Sequence, residues 1–329
     1  MKVLLTGGAG YIGSHTAVEL MQAGHNVIIA DNFSNSSPEI LYSVKKITNI
    51  SPKLYTVDVK DYNALEQVFR EESIDAVIHL AGYKAVGESV ADPLKYYYNN
   101  LGASITVIRL MKKYNVKILV FSSSATVYGT PDTVPVTENM PAKECANPYG
   151  RTKLMAEQIY TDIAEADSSM SVIILRYFNP VGAHKSGLLK EQPLGAPQNL
   201  MPNIVAAAEG NKKLKVYGND WPTKDGTGIR DYIHVVDLAR GHIAALNYTA
   251  NFRGVEIFNL GTGKPSSVLD VIHTFEKVHD IKLNYEIVSR REGDIAEYWA
   301  DPSKAEDKLD WKAELSLDDM CRDAWRHQD

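Results

Sequence analysis

The segment LLTGGAGYIGS, residues 4–14, constrains this chain more than any other. A short apolar run ends in Gly8, Gly10 and Gly13, spaced Gly-x-Gly-x-x-Gly, and a helical pattern opens directly behind them. Gly7, Gly10 and Gly13 give a second spacing of the same loop. Missing side chains let backbone approach a pyrophosphate, and the helix N-terminus adds N–H donors and a favourable dipole. Taken alone the loop is equally a glycine-rich turn, so its surroundings decide. Asp31 closes the next apolar run, NVIIAD, 18 residues after Gly13. A carboxylate there accepts from both hydroxyls of an adenosine ribose and repels a 2′-phosphate. The pattern predicts a dinucleotide site that favours NAD over NADP.

The first half of the chain continues in the same alternation. Strands are expected at Lys2–Thr6, Asn26–Asp31, Lys53–Asp58, Asp75–Leu80, Lys117–Ser122 and Ser171–Tyr177, with helices at Tyr11–Ala23, Pro93–Tyr114 and Pro148–Glu165. Short β-rich runs alternating with helical periodicity imply an α/β fold built on a doubly wound parallel sheet. Beyond Tyr177 the character changes to Gly, Pro, Asn and Lys, with a helix near Pro202–Glu209. The stretch 232–246 restores a strand-to-helix pattern, and the tail carries a helix at Val268–Val278, a strand at Leu283–Val288 and a helix near Leu317–Arg326. This predicts a Rossmann domain over residues 1–178, to which 231–262 returns. A second, smaller and discontinuous α/β domain for substrate occupies the rest of 179–329, with a cleft between the two.

Composition narrows the class of partner. At 44% hydrophobic and 23% charged residues, with a net charge of −6, the chain has no basic footprint for nucleic acid. No run approaches the roughly 18 apolar residues of a membrane span, and the apolar start of MKVLLTGG is too short for a signal peptide. Cys145 and Cys321 cannot form a disulfide framework, and the nine histidines do not cluster as ligands. A soluble, cytoplasmic protein without a metal site is expected.

Two tyrosine–lysine pairs share the i,i+4 spacing that places both side chains on one helix face. Tyr42–Lys46 lies in a polar stretch with Lys45 alongside and reads as a solvated surface. Tyr149–Lys153 follows Asn147-Pro148, a cap and first-turn pair, and comes after the serines of FSSSATVYG. Ser122, Ser123 and Ser124 end the fifth strand, on the side where such sheets bind ligands. Each serine alone suits a turn or cap; as a group they point to substrate. A free tyrosine ionises near pH 10, too high for an efficient base at neutrality. A neighbouring ammonium and an oxidised nicotinamide both favour the phenolate. Tyr149 is therefore the candidate acid/base, Lys153 its activator, and Ser124 a partner for the same substrate hydroxyl.

In this order the glycine loop, Asp31, the serines and Tyr-x-x-x-Lys resemble the extended short-chain dehydrogenase/reductase family. AGYKAVGES (81–89), SSSATVYG (122–129), NPYGRTK (147–153), RYFNPVGAH (176–184), DGTGIRDYIHVVDLA (225–239) and REGD (291–294) narrow this to a resemblance to the UDP-glucose 4-epimerases, spanning nearly the whole chain. The resemblance implies that Gly7, Gly10, Tyr11, Ile12, Gly13, Asp31, Asn32, Asn35, Ser36, Asp58, Val59, Leu80, Ala81, Lys84, Asn99, Ser122, Tyr149, Lys153 and Phe178 line NAD. It further implies that Ser124, Tyr149, Asn179, Asn199, Leu200, Val216, Tyr217, Arg230, Arg291, Asp294 and Tyr298 hold the sugar nucleotide. UDP-glucose and UDP-galactose would interconvert through a 4-keto sugar with NAD retained, in a homodimer serving galactose metabolism. The arginines suit a diphosphate through paired donors, the weaker alternative being surface salt bridges of Arg230 with Asp231 and Arg291 with Glu292. A bulky Tyr298 is expected to disfavour N-acetylated sugars. A 4,6-dehydratase on the same scaffold would need an acid and a base after the serines, where this chain has Ala125 and Thr126. An enzyme of UDP-glucuronate stays open. A non-catalytic NAD-binding regulator would have no reason to keep Tyr149, Lys153 and the serines together.

Overall fold

The computed structural model describes residues 1–142, 145–191, 195, 197–291 and 293–326. Short apolar runs form β1 (Lys2–Thr6), β2 (Asn26–Asp31), β3 (Lys53–Thr56), β4 (Ala76–His79), β5 (Ile118–Ser122) and β6 (Ser171–Tyr177). They are followed by β7 (Asn179–Val181), β8 (Leu214–Tyr217), β9 (Ile229–Arg230), β10 (Tyr232–His234) and β11 (Gly254–Leu260). The short strands β12 (Ser266–Ser267), β13 (Tyr285–Val288) and β14 (Glu297–Tyr298) complete the set. One seven-stranded sheet runs in the order β11-β6-β5-β4-β1-β2-β3. All its pairings are parallel. The chain winds outward in one direction from β1 and in the other from β4. The crevice beyond the carboxyl ends of those two strands is where such a sheet receives a ligand. The doubly wound α/β fold read from the sequence is the fold observed.

In chain order the helices begin with α1 (Tyr11–Gln22), α2 (Ile40–Thr48), α3 (Tyr62–Glu71), α4 (Val86–Ala91), α5 (Pro93–Tyr96), α6 (Gly102–Lys113) and α7 (Pro148–Ala166). They continue with α8 (Leu200–Ala208), α9 (Val235–Tyr248), α10 (Val268–His279), α11 (Ser303–Leu309) and α12 (Leu317–Ala324). Two apolar clusters flank the wide sheet, one containing Leu5, Ile29 and Ile78 and the other Leu4, Phe69 and Tyr160. A third, built from Met201, Val216, Phe275 and Met320 among others, joins α8, α10 and α12 around β8 and β10.

Most expected bounds moved by one or two residues, and the strand expected at Leu283–Val288 begins at Tyr285. Two differences have a visible cause. The third strand stops at Thr56 rather than Asp58, because Asp58 turns to accept from Lys60 N at 3.0 Å. Asp61 then caps α3 by accepting from Asn63 N and Ala64 N. The single helix expected over Pro93–Tyr114 contains a π-helical turn, Tyr97–Leu101, between α5 and α6. Apolar periodicity runs through such an insertion without marking it. Asn100 in that turn donates to Tyr83 O at 3.1 Å and to Thr152 Oγ1 at 3.0 Å, tying the segment to α7.

Candidate active site

The glycine loop folds tightly at the mouth of the crevice. Gly7 adopts φ of 72°, in the left-handed region that glycine enters without strain. A β-carbon on Gly13 would lie 2.3 Å from Gly7 O, so this close turn excludes any side chain there. Gly10 caps α1 with no side-chain hydrogen bond, leaving first-turn N–H groups for a ligand. Asp31 ends β2 buried, its Oδ2 accepting from Ala9 N at 2.9 Å and its Oδ1 from Phe33 N and Ser36 Oγ at 2.9 and 3.0 Å. The carboxylate thus braces the loop on one side and the 33–36 turn on the other. An uncapped helix start, a loop closed to side chains and a buried carboxylate at the next strand end together fit a dinucleotide.

The remaining predicted cofactor residues surround this loop to different degrees. Asn32 and Asn35 are exposed beside Asp31, and Leu80 and Ala81 follow β4, the Ala81 backbone lying where a Gly7 β-carbon would sit. Ile12 packs in the first turn of α1, and Val59 is buried in the sheet core. The Tyr11 hydroxyl donates to Gly182 O at 2.6 Å, linking the glycine loop to the segment after β7. Lys84 pairs with Glu191 at 3.2 Å, and Asn199 Nδ2 donates to the same Oε1 at 3.3 Å, so this carboxylate joins both predicted ligand sets. Asn99 Nδ2 donates to Asn100 Oδ1 at 3.1 Å.

The two tyrosine–lysine pairs part company in the structure. Tyr42 is 64% exposed on α2, with the Lys46 ammonium 5.5 Å from its ring centre. Tyr149 and Lys153 are 7% and 6% exposed in the opening turns of α7. That helix starts where Asn147 accepts from Gly150 N at 2.9 Å and Pro148 occupies the first turn. Lys153 Nζ donates to Ser122 O at 2.7 Å and sits 4.9 Å from the Phe121 ring centre. Burial lowers Lys153 to about 8, opposed by the charge of Glu157. Burial pushes Tyr149 up to about 12, opposed by its hydrogen bond with Ser124. Ser124 Oγ also accepts from Thr126 N and Oγ1, at 3.3 and 3.0 Å.

The predicted sugar-nucleotide residues arrive from several strands. Asn179 is exposed in β7; Phe178 before it is buried 5.0 Å from the Tyr298 ring. The Tyr298 hydroxyl donates to Ala125 O, tying β14 to the residue after the three serines. Arg230 Nη1 donates to Ile229 O at 2.8 Å. Asp231 turns away and accepts from Thr262, Gly263 and Ala300, so the surface pair Arg230–Asp231 does not form. Arg291 pairs with Asp294 at 3.0 Å and faces the Tyr217 ring, 5.5 Å away; Glu292 lies outside the described residues. Val216 is buried in the third core cluster, leaving only its backbone for a ligand, whereas Tyr217 alternates outward. Leu200 starts α8 after Asn199.

The NAD dependent epimerase/dehydratase family model matches residues 3–261. The chain belongs to that family. The UDP-glucose 4-epimerase of Bacillus subtilis is 54% identical over 329 residues, covering 100% of this chain and 97% of its own. The human UDP-glucose 4-epimerase is 50% identical over 334 residues, covering 99% and 96%. The crystal structure of UDP-glucose 4-epimerase from Bifidobacterium longum in complex with NAD+ and UDP superposes with a TM-score of 0.95 at 53% identity, covering 98% of this chain and 97% of that one. Within the epimerase family the chain is therefore one of the UDP-glucose 4-epimerases, an isomerase.

Two charged residues behind this site, Glu157 and Arg176, were not found from sequence. Ser123 donates to Glu157, and Arg176 of β6 pairs with Glu157 at 2.6 Å, both charges buried. Glu157 stands four residues after Lys153, a same-face spacing that was legible. Arg176, 19 residues further on, carried no local signal.

Proposed function

We propose that this epimerase interconverts UDP-glucose and UDP-galactose, in galactose metabolism, with NAD held in the crevice above β1 and β4. The observation that carries the reading is the convergence of Tyr149, Lys153 and Ser124 at the end of β5, on the sheet that carries the glycine loop two strands away at the end of β1. When bound, NAD supplies a reversible hydride acceptor for sugar C4. Tyr149 takes the proton of the 4′-hydroxyl, which Ser124 orients, and later returns it. Lys153, held by Ser122 O, favours the phenolate that burial otherwise opposes. Arg230 and Arg291 hold the diphosphate with paired donors. Anchoring at the phosphates leaves the sugar free to present its other face between the two proton transfers. Asp31 and the uncapped start of α1 hold the dinucleotide.

The test is to incubate the purified protein with UDP-galactose and no added cofactor, following C4 configuration by NMR. Appearance of UDP-glucose is expected. No conversion, even with NAD supplied, would sink the reading.

We further infer a homodimer. Leu94 and Tyr98 are 75% and 73% exposed, and Val86, Val90, Ile105 and Met155 are also exposed, on adjacent helices α4 to α7 and the π-helical turn. Large apolar side chains grouped this way mark an interaction surface. Among the described residues no helix is long and apolar enough to cross a membrane. Both cysteines are buried and unbridged, which accords with a reducing cytoplasm.

A further inference from the structure

Glu157 is a buried carboxylate on α7, one turn beyond Lys153. Ser123 Oγ donates to its Oε1. Arg176 forks onto both oxygens, Nε donating at 3.1 and 3.2 Å and Nη2 donating to Oε2 at 2.6 Å. The guanidinium lies 4.7 Å from the Tyr128 ring centre, and the Tyr128 hydroxyl donates to Asn259 Oδ1 at 2.7 Å. Ser123 stands between Ser122, whose carbonyl receives Lys153, and Ser124, which bonds Tyr149. A charge pair this deep gains little net stability, because desolvation offsets its attraction. Its position beside a buried ammonium points to another role.

We propose that Glu157 is a positioning residue of the reaction: through Ser123 it fixes the serine end of β5, and its charge keeps Lys153 an ammonium. The inference rests on the proposed roles of Tyr149 and Lys153. Lys153 interacts with Glu157 from its own helix, where Tyr149 stands one turn earlier, with Ser122 O and the Phe121 ring from β5, and with His79 from β4. From β6, Tyr177 faces the same pocket through Ser122 and Tyr149, while Arg176 binds Glu157. His79 is buried and neutral, its pKa lowered to about 3. Glu157 thus offsets Arg176 and opposes the burial that drives the proton off Lys153. Removing its charge leaves Arg176 uncompensated and moves Lys153 toward its neutral form at lower pH.

The test compares pH profiles of kcat for UDP-galactose in wild type, Glu157→Gln and Glu157→Gln/Arg176→Met. Glu157→Gln is expected to lower kcat at least ~10-fold and to move the alkaline limb down by about one pH unit. The double variant loses the carboxylate without stranding Arg176, so its limb should fall between the other two. If the single variant fails to fold, the double variant decides alone against wild type. An alkaline limb that stays in place in the folded variants, whatever the loss in kcat, would reduce Glu157 to a structural brace. An inactive wild type would instead defeat the proposed function.

Discussion

Lys153 Nζ donates to the carbonyl oxygen of Ser122 at 2.7 Å, joining the first turns of α7 to the last residue of β5. This one bond fixes the ammonium where two elements meet, on the helix that carries Tyr149 one turn earlier. It also separates the pair from its surface counterpart, in which Lys46 merely overlies Tyr42. The spacing is the same; the second element decides the chemistry.

Tyr149→Phe removes the proposed base while keeping the buried ring. Turnover of UDP-galactose should fall by about 10²–10⁴-fold, with the melting temperature within a few degrees of wild type and NAD retained. Steady-state kinetics and a thermal melt on one preparation check both. Near-normal turnover would remove Tyr149 as the base.

Gly13→Ala should be far more harmful than Gly10→Ala. The new methyl would lie 2.3 Å from Gly7 O and 2.7 Å from Gly8 Cα at position 13, against 3.3 Å from Gly7 O at position 10. The Gly7–Gly8 backbone that crowds this position cannot yield without opening the loop proposed to cradle the pyrophosphate. Bound NAD, measured after release from the purified proteins, should be strongly depleted in Gly13→Ala and largely kept in Gly10→Ala. Equal NAD content in the two would contradict this.

Tyr298 packs against Phe178 and donates to Ala125 O, so its ring is held beside the residue that follows Ser124, where the proposed sugar site lies. Replacing it by serine should raise the ratio of UDP-N-acetylglucosamine to UDP-glucose turnover by at least about 10-fold. Wild-type turnover of the N-acetylated sugar as fast as UDP-glucose would show that the wall does not discriminate.

Stability should decline on the acid side. His15 and His79 are lowered to about 3 and His242 to about 4, each chiefly by burial. These imidazoles are neutral when folded, whereas the unfolded chain protonates below about pH 6.5. Their contribution is complete above that pH and is lost as pH falls toward 4, by roughly 1 kcal/mol per pH unit for each histidine. Chemical denaturation between pH 7.5 and 5 should register the loss, and a flat profile would count against neutral burial.

Dimerisation through the exposed helices predicts that Leu94→Glu/Tyr98→Glu yields a monomer with an intact sheet. Light scattering after size exclusion reads the mass. An unchanged oligomer in the double variant would place the interface elsewhere.

Much of this fold is local information. Apolar runs such as NVIIAD and KILVF are short, rich in Val, Ile and Phe and bounded by turn residues, which favours buried strands, and Asn147-Pro148 is a preferred helix start. The glycine loop, Asp31 and the Tyr149–Lys153 spacing were legible for the same reason, since each lies within one element or at its end. The π-helical turn at Tyr97–Leu101 was hidden because its register depends on Asn100 reaching Tyr83 and Thr152. Arg230 could be read as paired with Asp231 until the fold turned that carboxylate toward Thr262, Gly263 and Ala300. Arg176 acquires its role only when β6 lies beside β5 and aims the guanidinium at Glu157. The sequence by itself determined the alternation of strands and helices in the first half of the chain and which residue types stand at their ends. Tertiary structure alone decided which charges are desolvated together, because burial and partner are properties of the packed chain and not of spacing along it.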